Sequence, residues 1–154
     1  MTMKNNENTL HLGEFLPYRL SVLSNRISRA IADGYEEQFQ LTLPEWRVMA
    51  VLGGEPDLSA AQVAERTAMD KVAVSRAVNK LLESGRLERH FSPEDKRRSV
   101  LALSEEGQKI YREVIPIALG YESKILDKLS EPEKLTLMSL LNKLEDIQLH
   151  ADEN

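Results

Sequence analysis

Three consecutive cations, Lys96, Arg97 and Arg98, follow Ser92-Pro93-Glu94-Asp95 between two short apolar runs, Leu87 to Phe91 and Val100 to Leu103. A charge cluster at a proline-containing turn cannot be core and must project into solvent. Just upstream, the segment from Asp70 to Glu83 carries its own cations, Lys71, Arg76 and Lys80. One basic projection is helical and the next is a hairpin. That pair suits a polyanionic duplex, with the helix in the major groove and the hairpin on the backbone or in the minor groove.

On a wheel of 100° per residue, Val74, Ala77, Val78 and Leu81 form the buried stripe of this helix. Val72, Ala73, Arg76, Asn79, Lys80 and Glu83 lie roughly opposite, with Ser75 on the flank. Arg76 has the fork for a bidentate contact to guanine, and Asn79 the amide for adenine. Lys71 and Lys80 suit phosphates. Val72 and Ala73 offer small apolar groups to thymine methyls. In the hairpin, Arg97 is the candidate for a narrow minor groove, Lys96 and Arg98 for phosphates, and Asp95 for holding the turn. A charge run at a turn is ordinarily just a solvated surface. Its place directly after the helix argues for a wing.

The net charge of −5 is no objection, because it is unevenly spread. Residues 66–100 hold nine Lys or Arg against five Asp or Glu, and the remainder holds eleven against twenty. An electrostatic footprint is local, so the acidic remainder should face away from DNA.

The elements that position these residues are legible from capping signals. A helical pattern runs from about Phe15 to Phe39. Thr42-Leu43-Pro44-Glu45 is a capping box opening a helix through Trp46 and Leu52. Ser59-Ala60-Ala61-Gln62 opens a short helix ending near Thr67, and Asp70 caps the helix that stops at Gly85. Short helix, tight turn and second helix form a helix-turn-helix pattern. Two strands flank the basic turn. Ser104 caps a long helix to about Leu129, with Pro116 as an expected kink, and Ser130-Glu131-Pro132-Glu133 opens a last helix to about Leu149. The fold class is therefore mainly α, a winged helix-turn-helix with a small β-hairpin wing. Residues 1–12 read as a disordered polar tail, 41–103 as the DNA-binding lobe, and 13–40 with 104–150 as dimerisation helices. The terminal helices carry apolar stripes that need a partner, and a second copy is the simplest one.

Other chemistry has little support. There is no Cys, and the three His residues, His11, His90 and His150, are far apart in sequence, so neither a cofactor nor a metal is expected. No Gly-rich phosphate loop or nucleophile elbow appears, and the chain does not read as an enzyme. No apolar run approaches a membrane span and no signal peptide is visible, so a cytoplasmic location is expected. A winged-helix module that binds protein instead of DNA is the competing reading, and the Lys96-Arg97-Arg98 run speaks against it.

These residues resemble the multiple-antibiotic-resistance regulator (MarR) family from Leu58 through Gly107. The matching parts are Met69-Asp70-Lys71 with Val74-Ser75-Arg76, then Leu81-Leu82-Glu83-Ser84-Gly85-Arg86-Leu87. Asp95-Lys96-Arg97-Arg98-Ser99 is similar to the family's Asp-x-Arg wing signature, and Leu101-Ala102-Leu103-Ser104-Glu105-Glu106-Gly107 completes the match. The resemblance implies a homodimeric, triangular winged-helix regulator of pseudo-palindromic DNA, most often a repressor released by small anionic aromatic ligands. Val72-Ala73 stand where many members carry hydroxyl residues, which bears on base preference. The absence of Cys argues against a thiol-based peroxide sensor. Phe15-Leu16-Pro17-Tyr18-Arg19-Leu20 also resembles a subgroup linked to aromatic-acid breakdown, some members of which answer to aromatic acyl-CoA thioesters. Arg19, Arg26 and Arg29 on the first helix could receive a carboxylate or phosphate. Surface ion pairing, such as Arg29 with Asp33, is the plainer reading. Tyr18, Arg19, Arg26 and Trp46 are the candidate effector residues.

Overall fold

The computed structural model describes residues 8–91, 94 and 98–147. The chain divides into two compact units, Met1–Ile117 and Ala118–Asn154.

In the first unit, a 3-10 turn at Leu12–Glu14 precedes α1, Leu16–Asp33, which has a proline in its first turn. The continuous helix expected up to Phe39 is broken. The Gly34 and Tyr35 amides close 3-10-like on the Ile31 and Ala32 carbonyls, and a short α2, Glu36–Phe39, follows. The break turns Tyr35 and Phe39 into the core beside Leu41, and burial of those side chains outweighs a few more helical bonds.

Local capping sets the next three helices. In α3, Leu43–Gly54, the Thr42 amide donates to Glu45 Oε2 at 2.9 Å while Thr42 Oγ1 accepts from the Glu45 amide. In α4, Ala60–Thr67, the Ser59 amide donates to Gln62 Oε1 at 2.9 Å. A left-handed residue, Ala68 with φ 52°, makes the turn. Asp70 Oδ1 then accepts from the Ala73 amide at 2.8 Å to start α5, Lys71–Glu83. Gly85, with φ 74°, ends α5 in a Schellman closure. The Arg86 amide reaches the Leu81 carbonyl and the Gly85 amide reaches that of Leu82.

β1, Leu87–Phe91, pairs antiparallel with β2, Ser99–Leu103, in the register Leu87 to Leu103. Leu58 adds an isolated bridge to Leu101, tying the approach to α4 onto the base of the wing. α5 packs against α3, α4 and β1, and α3 packs against β2. Their shared core is Val48, Met49, Leu52, Val63, Val74, Val78, Leu81 and Leu101, closed by Ile110 and Val114 of α6, Glu105–Leu126. Ser104 caps α6, its Oγ accepting from the Gly107 amide at 3.0 Å. α6 runs on through Pro116 as one helix and stops at Leu126, three residues short of the expected end.

The second unit holds the end of α6 and α7, Glu131–Glu145. Ser130 and Glu133 form its capping box. α7 has no buried residue, and Leu135, Met138, Leu140 and Leu144 all stand exposed.

Candidate nucleic-acid interface

The buried stripe of α5 is the expected one: Val74, Ala77, Val78 and Leu81. With that face locked in the core, the opposite face has a fixed direction. Lys71, Val72, Ser75, Arg76, Asn79 and Lys80 are all exposed on it, and Ala73 is half-buried above the Asp70 cap. Val72 is 60% exposed, as its place opposite the buried stripe requires. Among the described residues Lys71, Arg76 and Lys80 pair with no carboxylate, so their charge is directed to solvent.

Of the wing cations, Arg98 is exposed just before β2, whereas Lys96 and Arg97 lie outside the described residues. A residue not singled out from the sequence joins the surface instead. Leu87, Arg89 and Phe91 share one face of β1 by strand alternation. Leu87 is buried and Phe91 is 64% exposed. Arg89 between them lines a cavity of about 240 Å³ whose rim also carries Lys71, Ser75 and Asn79. Its guanidinium donates to Ser99 Oγ across the hairpin at 3.1 Å. The period-two pattern from buried Leu87 was the signal that could have marked it.

The candidate effector residues lie on two helices, α1 and α3. Tyr18, Arg19 and Arg26 are exposed on α1. Arg29 pairs with Glu36 at 3.5 Å, across the break after α1, in place of the Asp33 partner that an unbroken helix suggests. Trp46 is half-buried between Tyr35 and Tyr111, with ring centroids 5.8 and 6.0 Å away. The Tyr35 hydroxyl is buried with no hydrogen-bond partner among the described residues. Burial, with the nearby Glu36 carboxylate second, pushes the phenol up to about 12. Arg47 donates to Ser28 Oγ at 3.3 Å, joining α3 to α1. Among the described residues no group of three His, Asp or Glu is placed to hold a metal, and no helix is long and apolar enough to cross a membrane.

A solved MarR/EmrR family transcriptional regulator from Acinetobacter sp. ADP1 superposes with a TM-score of 0.81 at 31% sequence identity, over 89% of this chain and 96% of its own. The chain belongs to the MarR family. The family's sequence model matches residues 39–98 of this MarR protein, from the end of α2 to the residue before β2. The HTH-type transcriptional regulator BilQ of Clostridium symbiosum is 33% identical over 93 residues, which are 60% of this chain and 65% of BilQ. A structure of Bordetella bronchiseptica BpsR, whose DNA binding is regulated by 6-hydroxynicotinic acid, has the same fold with a TM-score of 0.78 at 21% identity, covering 92% of this chain and all of that one. The resemblance drawn from the α5 and wing motifs and the winged-helix fold class both hold. The relatives of this MarR protein are transcriptional regulators, not enzymes.

Proposed function

We propose that this MarR-family regulator is a cytoplasmic, homodimeric repressor that reads a pseudo-palindromic operator in double-stranded DNA and is released by a small anionic aromatic ligand. The observation that carries the reading is the outward face of α5. A fully buried stripe holds exposed Lys71, Arg76, Asn79 and Lys80 in one fixed direction. In this reading Arg76 and Asn79 address base edges, and Val72, Ala73 and Ser75 meet bases or sugars. Lys71, Lys80, Lys96 and Arg98 take phosphates, and Arg97 enters the minor groove. Arg89 adds a cation on the side of the wing nearest α5. The exposed apolar residues of α1 and α7 supply the contact between copies, and a two-fold axis then presents two α5 helices to half-sites about one helical turn apart.

The ligand half of the reading draws support from BpsR, which answers to an aromatic acid. Lowering operator affinity a hundredfold needs about 2.7 kcal/mol of coupling, near the upper end of the usual range. Tyr18, Arg19 and Arg26 offer charge and an aromatic ring on α1, and Trp46 offers a ring on α3.

The test is binding of the purified protein to DNA upstream of its own coding region across a salt series. Saturable, competitor-resistant binding with a steep negative salt slope is the expected result. The same complex then serves to screen aromatic acids and their CoA thioesters. Binding that any competitor DNA abolishes, together with no enriched sequence in a selection from random DNA, would turn the reading toward a protein-interaction module.

A further inference from the structure

The side chain that follows the turn after α5 makes contacts that reading DNA does not call for. Arg86 donates one guanidinium nitrogen to the Phe39 carbonyl and another to the Gln40 carbonyl. These carbonyls close the N-terminal helical segment, since α2 stops at Phe39 and Gln40, with φ 52°, turns the chain toward α3. A planar fork suits two neighbouring carbonyls in a way that a point charge does not. The Arg86 backbone is equally engaged. Its amide closes α5 on the Leu81 carbonyl at 2.9 Å, and its carbonyl accepts from the Ser104 amide at 3.1 Å. Gly107 sits so close that a Cβ there would lie 2.0 Å from the Arg86 oxygen. Ser104 Oγ, the cap of α6, donates to the adjacent Gly85 carbonyl at 2.6 Å. One residue therefore joins the ends of α2 and α5 to the starts of β1 and α6.

We infer that Arg86 is a positioning residue, whose fork on Phe39 and Gln40 sets the orientation of α5 against the N-terminal helical segment. The inference rests on the DNA-binding reading proposed above. Where two copies meet a duplex, the half-site separation is imposed by DNA. A recognition helix free to swing about its C-terminal anchor would then match several separations poorly in place of one well. Arg86 acts by holding α5 and does not itself touch DNA.

Two variants test this. Arg86→Met keeps the apolar stem and removes the fork, and Arg86→Lys keeps the charge but not the bidentate geometry. Each is measured on operators with half-sites moved one base pair closer or farther, on non-specific DNA, and by thermal melting. For Arg86→Met we expect operator affinity to fall on the order of tenfold, within the range of residues that act without touching ligand. Its non-specific affinity and salt slope should stay unchanged, and its preference among separations should flatten. Arg86→Lys should recover part of both. A variant that keeps wild-type affinity and separation preference overturns the inference. So does a parallel loss of specific and non-specific binding with a salt slope shallower by about one, which would make Arg86 a phosphate contact. Should Arg86→Met not fold, Arg86→Lys decides alone, and a wild-type separation profile in it overturns the inference. A wild-type protein that selects no operator would sink the DNA-binding reading itself, a different result from variants that match a binding wild type.

Discussion

α5 and α7 are helices of similar length with opposite fates. α5, Lys71–Glu83, buries four apolar side chains and exposes cations. α7, Glu131–Glu145, buries none and exposes leucines. Both carry side-chain caps, so the local signals that start a helix do not separate them. What separates them is how much each buries among the described residues of this chain. α5 finds α3, α4 and β1 there. α7 presents an apolar stripe that water does not favour, which is the physical ground for expecting a second copy on it.

The contrast can be broken by mutation. Leu81→Ala, at a fully buried position, should cost about 2–5 kcal/mol in urea unfolding; a value near zero would mean the α5 stripe is not core. Arg76→Ala, on the opposite face, should leave unfolding alone and cost about 1–3 kcal/mol in operator binding. Unchanged affinity would remove Arg76 from the base-reading set. Asp70→Ala should lower stability by about 1 kcal/mol through loss of the α5 cap, measured by chemical denaturation. Leu135→Ser, at 73% exposure, should change the stability of a single chain by less than about 0.5 kcal/mol. It should instead shift the sedimentation profile toward monomer, and a profile identical to wild type would exclude Leu135 from the contact between copies.

The smallest effect is one of pH. Hydrogen bonds from the Ser130 backbone, and then from its side chain, hold the Glu133 carboxyl below its ordinary value. A carboxyl depressed in the folded state stabilises above its unfolded pKa, and that contribution is lost as pH falls through the folded one. The α7 cap should therefore loosen on acidification below the usual carboxylate range, seen as faster amide exchange in its first turn. In Glu133→Gln that acid-driven step should vanish.

The parts of this molecule legible in the sequence are those decided within a few residues. All three capping boxes, the Asp70 cap, the Gly85 stop and the α5 stripe depend on neighbours three or four positions away, and the structure contains each of them. The features that escaped depend on distant partners. The helix pattern up to Phe39 breaks because Tyr35 has a core to enter, a fact carried by residues such as Val48 and Met49. The Leu58 bridge to Leu101 and the Arg86 contacts with Phe39 and Gln40 each join segments more than forty residues apart. Arg89 escaped for a milder reason: alternation marked its face, but only the packing of β1 on α5 turned that face toward Lys71 and Asn79. Pro116 lies inside α6 at an exposed position, where the helix tolerates the one forfeited backbone bond and runs on to Leu126.

The aromatic stack has a practical consequence. Trp46 is the only tryptophan in the chain, and its ring lies between Tyr35, just after α1, and Tyr111 on α6. All of the indole emission therefore originates where three helical segments meet, with two phenols close enough to pass excitation to it. Any event that slides α3 against either neighbour alters the colour and yield of that light. The protein thus carries its own optical gauge of movement between α3 and the helical segments on either side of it, readable without a dye and in the presence of DNA.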